Sequence, residues 1–136
     1  MVVRRGLVTA LLVVVGCSDD TPTSPTADSL DGVWRIISIQ PATQPVEIAP
    51  VGAQYQIGFR DRRAFVRVDC NTCTGPFAVN GNTLTIGPTL TCTLAACATA
   101  SYATTVVDML SGAHEMATTL HNLTLTSSRG TILLQR

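Results

Sequence analysis

Residues 54–86 constrain the fold more tightly than any other stretch, because they read as two consecutive antiparallel hairpins. Tyr55, Ile57 and Phe59 alternate with Gln54, Gln56 and Gly58, the period-two pattern of a strand with one dry face and one wet face. Arg60-Asp61-Arg62-Arg63 is a polar turn, and Phe65 to Asp69 runs back from it. In that returning strand Val66, Val68 and Cys70 share the face expected to be core, while Phe65, Arg67 and Asp69 share the other. Phe77 to Val79 and Thr83 to Ile86 flank Asn80-Gly81. Asn-Gly is the strongest short hairpin signal, since both residues tolerate positive φ.

The flanks fit the same architecture. Gly32 to Gln40 is rich in Val, Ile and Trp and reads as a strand stopped by Pro41 and Pro45. Three more strands are expected at His114 to Leu120, Asn122 to Thr126 and Thr131 to Gln135. Ala98 to Ser111 differs: Tyr102, Val106, Met109 and Leu110 recur at helical spacing, with Thr99 as N-cap and Gly112 as the stop. Its Thr and Val content gives poor helix propensity, so packing has to hold it. The expected class is mainly β (α+β): an antiparallel sheet crossed by one helix, with no internal repeat.

The N-terminus reads as a targeting segment. Met1 to Arg5 carry two Arg, and Leu7 to Val15 form an apolar run broken only by Thr9. That is a secretory n-region and h-region, too short to span a bilayer, which takes about 18 residues. The run ends in Val14-Val15-Gly16-Cys17, which resembles the bacterial lipobox. The resemblance implies cleavage after Gly16 and acylation of Cys17, anchoring the protein to a membrane, since each buried methylene adds ~0.8 kcal/mol. Ser18, by resemblance to the enterobacterial sorting rule, points to the outer membrane of the cell envelope. Ser18 to Ser29 is polar, holds two Pro and reads as a flexible tether. The expected organisation is a signal peptide over 1–16, a lipidated tether over 17–29 and one domain over 30–136. All nine basic residues are Arg; removing the leader leaves seven against nine acids. That balance argues against a nucleic-acid partner.

Three motifs then point to a family. Leu30-Asp31-Gly32-Val33-Trp34, Cys70-Asn71-Thr72-Cys73-Thr74-Gly75-Pro76-Phe77 and Thr93-Leu94-Ala95-Ala96-Cys97 occur in that order. Together they resemble the signature of the META/HslJ-like domain family, with Cys73 standing at an aromatic position and Ala95 at a Met position. The resemblance covers Leu30 to Arg136. It implies a small antiparallel, barrel-like sheet with a helix packed on it, in envelope lipoproteins linked to stress or drug tolerance. It supplies no established reaction.

Apart from Cys17, four cysteines remain, and four allow three pairings. The resemblance favours Cys70–Cys97, both at motif Cys positions, and then leaves Cys73–Cys92. Two other readings stay open. Cys70-Asn71-Thr72-Cys73 has redox-motif spacing, but it falls between two expected strands rather than at a helix N-terminus, which would activate the first thiol. Cys70, Cys73, Cys92 and Cys97 have spacing that suits a four-thiolate zinc site. An exported, oxidising location favours disulfides.

The remaining candidates are thin. Arg60, Arg62, Arg63 and Arg67 cluster beside Phe59 and Phe65, as either an anion- or polysaccharide-binding surface or a solvated hairpin tip partly neutralised by Asp61 and Asp69. His114-Glu115 begins a zincin-like motif, but position 118 is Thr, so His114 and His121 are read as surface or turn residues. Asn122-Leu123-Thr124 matches a glycosylation sequon by chance. With no acid–base–nucleophile set, no enzyme and no cofactor or metal are expected. The expected function is a non-catalytic binding or structural role in envelope stress tolerance, with an unknown protein or small-molecule partner. Two alternatives are a small-ligand carrier with a barrel-like cavity, and a protease-inhibitor-like module presenting a disulfide-held loop near Pro76 or Pro88.

Overall fold

The computed structural model describes residues 25–136. The leader, Cys17 and most of the polar tether lie outside the described residues. The chain enters through one helical turn, α1 (Ala27–Leu30), and then forms β1 (Gly32–Pro41), β2 (Glu47–Ile48), β3 (Tyr55–Arg60), β4 (Arg63–Val68) and β5 (Asn71–Asn80). It continues through β6 (Thr83–Ile86), β7 (Thr91–Cys92), the helix α2 (Ala100–Leu110), β8 (Gly112–Thr118), β9 (Asn122–Ser127) and β10 (Gly130–Gln135).

Every pairing is antiparallel, and the ring β1-β3-β4-β5-β6-β8-β9-β10 returns to β1, closing an eight-stranded barrel. Closure removes the free sheet edges that invite aggregation. The short β2 and β7 add to β1 and β5 from outside the ring. An eight-stranded barrel is just wide enough for side chains to fill. Here Trp34, Phe59, Ile57, Leu84, Leu125 and Leu134 are all at most 1% exposed. The interior is therefore packed with the barrel's own residues, and the concave space of the molecule lies outside it.

Local chemistry explains the register. Asp61 and Arg62 both have positive φ (50° and 59°) between the paired Arg60 and Arg63, the backbone of a two-residue hairpin turn matched to strand twist. In the second hairpin Asn80 still pairs with Thr83, so Gly81 and Asn82 make the turn, one residue later than the expected Asn80-Gly81. On β1, buried Trp34 and Ile36 are followed by buried Ile39, because a bulge between Ile36 and Ser38 shifts the alternation. At the far end of β1, a Cβ on Gly130 would sit 2.0 Å from the Gln40 carbonyl oxygen, so only glycine lets β10 close against Pro41.

Two expectations are corrected. Cys70 is exposed rather than in the core. Asp69 has φ 58°, so alternation stops at Val68 and Asp69-Cys70 form the turn into β5. The Cys70–Cys73 motif does not lie between strands either: β5 begins at Asn71, six residues before the expected Phe77. The Gly75-Pro76 pair disguises this strand. Residues 71–76 pair with β4, residues 77–80 pair with β6, and the exposed Pro76 stands at the change of partner, where no ladder N–H is required of it.

Candidate functional site: a disulfide-framed cleft

The two cysteine-bearing stretches of sequence meet at one corner of the barrel. Cys70 and Cys97 are bonded with their Cα atoms 5.7 Å apart. Cys73 and Cys92 are bonded with Cα atoms 4.0 Å apart, directly opposite each other where β7 pairs with β5. With the sulfurs bonded in this way, the four-thiolate zinc set and a Cys70–Cys73 redox pair lose their thiols. Among the described residues, no group of three or more His, Cys, Asp or Glu is placed to hold a metal.

Asn71 sets the conformation of the segment between Cys92 and Cys97. Its Nδ2 donates to the Ala95 carbonyl at 2.9 Å, and its Oδ1 accepts from the Thr93 hydroxyl at 2.9 Å and the Ala95 amide at 2.8 Å. One amide thus substitutes for a strand partner along an exposed loop. The Cys-Asn and Thr-x-x-Ala-Cys motifs form a single structural unit, which accounts physically for their joint occurrence. Gly75 lets the outer segment lie flush: a Cβ there would approach Leu90 Cδ2 to 2.9 Å.

Side chains from other elements fix both ends of α2. At its start, the Asp69 carboxylate accepts from the Thr99 amide at 2.9 Å and also from the Thr99 hydroxyl. The capping carboxylate therefore comes from the β4–β5 turn, while Thr99 occupies the N-cap position without capping through its own side chain. The Thr99 hydroxyl bond chiefly, then the amide bond, holds the Asp69 carboxyl below its ordinary range. Tyr55 Oη lies 2.6 Å from the Thr99 hydroxyl, and Tyr55 packs edge-on against Tyr102. Burial pushes the Tyr102 phenol up to about 12. At the other end, Arg129 donates to the Asp108 carbonyl at 2.8 Å and to the Ser111 carbonyl, satisfying terminal acceptors with a favourable charge.

Between α2, β5 and the 93–97 segment runs a cleft of about 390 Å³. Val68, Cys73, Ala95, Ala103 and Val107 supply apolar surface, and Asn71 and Thr104 supply polar groups. Both departures from the family pattern, Cys73 and Ala95, line this cleft. Leu94, 95% exposed, stands beside it. An apolar concavity of a few hundred Å³ with a few polar groups is the usual form of a small-molecule site.

The other candidates are placed elsewhere. Arg60 and Arg63 pair across β3 and β4, Arg62 lies in the turn between them, and Arg67 projects from the outer face of β4; all four are exposed. Arg35, missed in the sequence, joins them, since its partner Gln56 also pairs with Arg67. His121 is exposed as expected, but His114 is only 2% exposed, which corrects its expected surface position. Its Nε2 donates to the Leu110 carbonyl at 2.9 Å, Nδ1 has no partner, and burial holds the ring below its ordinary pKa. Its place under the end of α2 is what buries it, a tertiary contact that strand alternation alone did not reveal.

Comparison with known proteins bears on the fold. The META domain family model matches residues 27–136. No curated protein matches the chain. An NMR structure of a protein from Burkholderia xenovorans superposes with a TM-score of 0.67 at 20% identity, covering 89% of this chain and 97% of that one. A second protein solved by NMR gives 0.64 at 20% identity, covering 82% and 94%. At that identity the likeness concerns the fold alone. The barrel, the motif cysteines bonded at its corner and the match across the described domain together make this chain a member of the META domain family.

Proposed function

We propose that the chain is a bacterial envelope lipoprotein, acylated on Cys17, whose barrel is a non-catalytic binding module serving envelope stress tolerance. The observation that carries the binding role is the apolar cleft framed by Cys73–Cys92 and α2. Two bonded cysteine pairs suit an oxidising envelope compartment, and the Ser18 that follows Cys17 favours the outer membrane. The ligand class is a small, largely aliphatic molecule with one hydrogen-bond donor, which the Thr104 hydroxyl oxygen accepts, since the Asn71 amide is committed to the 93–97 segment. The packed barrel interior moves the carrier alternative from a barrel cavity to this outer cleft.

Titration with a medium-chain aliphatic alcohol, uncharged beside the Asp108 that also lines the cleft and followed by NMR, tests the cleft. The methyl signals of Ala95, Ala103 and Val107 shift on binding, and Ala103→Trp, which fills the cleft, abolishes the shift. Unchanged methyl signals at saturating alcohol would sink the reading. Anchoring is tested separately by the mass of the N-terminal peptide isolated from membranes, which carries acyl chains on Cys17.

A second reading rests on Leu94. Its loop is tied at one end to β5 and at the other to the turn before β5 by the two disulfides, and projects one large apolar residue, the form of a rigid bait for a protease with an apolar specificity pocket. Inhibition of a chymotrypsin-like protease that disappears in Leu94→Asp would favour it; simple cleavage after Leu94 would remove it.

A further inference from the structure

The outward face of β1, β3, β4 and β5 has an order that the cleft does not explain. Strand register places Val33, Gly58, Phe65 and Thr74 in one row across the four strands. The row on one side is Arg35, Gln56, Arg67 and Thr72; the row on the other holds Arg60, Arg63 and Pro76. An apolar row is thus flanked by two Arg-bearing rows, with Arg62 at the adjoining turn. Rows on one strand face are about 7 Å apart. Five of the seven Arg beyond the leader are on or beside this face, although the chain after the leader has more acids than bases. The acids nearby are Asp31 and Asp61; Asp69 is committed to Thr99. Val33 and Phe65 are 57% and 45% exposed, and the side chain that Gly58 lacks leaves a groove of about 280 Å³ between them. A contiguous exposed apolar patch rimmed by charged residues is the usual mark of an interaction surface.

We propose that this face docks on an anionic lipid bilayer, with Arg35, Arg60, Arg63 and Arg67 on lipid phosphates and Phe65 and Val33 pressed into the interface. The attachment point of the domain agrees. The chain enters the barrel at Asp31-Gly32, on the border of the groove. Nine residues separate Cys17 from Ala27, a reach of at most about 36 Å when extended. An acylated Cys17 therefore holds this border close to a membrane. Cationic side chains over anionic headgroups, with an aromatic ring at the acyl boundary, form a standard peripheral membrane contact. In its orientation the proposal rests on the lipoprotein reading, but the docking itself is measurable without the acyl chains. The buried core runs from Leu30 to Leu134, so the unacylated domain retains everything that folds it.

The test uses the chain from position 17 bearing Cys17→Ser, disulfides intact, sedimented with vesicles of phosphatidylcholine containing one-third phosphatidylglycerol or none. Binding is expected on the anionic vesicles only, and it weakens as salt rises. Each of Arg63→Gln and Arg67→Gln lowers the partition coefficient about fivefold, the equivalent of about 1 kcal/mol per charge at such a surface. Phe65→Ser lowers it further, and the emission of Phe65→Trp shifts to the blue on binding, while buried Trp34 reports that the fold is intact. Absence of sedimentation with anionic vesicles overturns the proposal, whatever is found at Cys17. So does equal binding to a sulfated polysaccharide with no Phe65→Trp shift, which would make the face a general polyanion site. Acyl-free Cys17 in the native protein, with vesicle binding intact, would defeat the anchor and leave the docking face standing.

Discussion

The barrel wall and the stapled corner are stabilised in different ways. The wall holds its shape by burial: its inward residues, His114 apart, are apolar and almost fully enclosed, and each strand has partners on both sides. The corner is exposed along nearly all of residues 93–98, and no sheet ladder continues past Cys92. It is held by two disulfides, the Asn71 amide and the Asp69 carboxylate. Burial is cooperative and spread over many contacts, whereas the corner depends on a few separable bonds. A binding surface suits the second arrangement, because a ligand can be met by adjusting a loop without disturbing the core.

The sharpest break in the comparison comes from emptying the wall. Trp34→Ala removes the largest fully buried side chain, its Nε1 bond to the Leu30 carbonyl at 2.9 Å and the ring over which Arg136 lies at 4.4 Å. The expected loss is about 3–5 kcal/mol, read as a fall in the denaturant midpoint with both disulfides intact. A loss under 1 kcal/mol would mean that the wall is not what carries stability.

Releasing the corner should act differently. Cys70→Ser with Cys97→Ser opens a loop spanning 27 residues, and chain entropy assigns it about 3–4 kcal/mol, acting on the unfolded chain. Barrel amide signals of β3, β4 and β9 should keep their native shifts, while those of residues 93–98 collapse towards random coil. If the β9 signals move as well, corner and wall are one unit and the comparison fails. Asn71→Ala is the subtler version. It leaves both disulfides but strips three bonds from the segment, for about 1–3 kcal/mol, and it should raise hydrogen exchange at Ala95 alone among the neighbouring amides.

The same contrast governs what the sequence reveals. The wall is legible where alternation is unbroken, as from Tyr55 to Val68, because a half-buried strand imposes a period of two on its composition. The helix is legible too: Tyr102, Val106, Met109 and Leu110 are all buried. Legibility fails where the backbone breaks its own rhythm. The bulge at Ile37 and the positive φ at Asp69 cannot be seen in residue types, and Gly75-Pro76 reads as an end where β5 only changes partner. β7 is two residues long, too short for any period. The corner is visible only as a resemblance, because cysteines and an Asn carry no periodic signal. Arg35 and His114 are missed for the same reason, since each is given its place by a neighbour distant in sequence.

The smallest expected effect lies at the junction between the two regions, where the β4–β5 turn caps the helix. In the folded protein the Asp69 carboxyl is held below its ordinary range by the Thr99 hydroxyl and amide. Folding therefore favours its ionised form. The contribution is fully present above the unfolded carboxylate value, near 4, and is lost as pH falls through the lower folded value. His114, held low by burial, also loses stability on acidification, but around the higher imidazole range near 6.5. The two are separated by variants: Asp69→Asn should flatten only the acid limb of stability below about pH 4, leaving the slope near neutrality unchanged. Amide exchange at Ala100, Ser101 and Tyr102 in the first turn of α2 should quicken in Asp69→Asn at pH 6, and the difference from the wild type should narrow as pH falls below about 4. Equal exchange in the two proteins at pH 6 would mean that the helix start is held by packing of Tyr102 against Tyr55 rather than by the carboxylate, and the corner would then belong energetically to the wall.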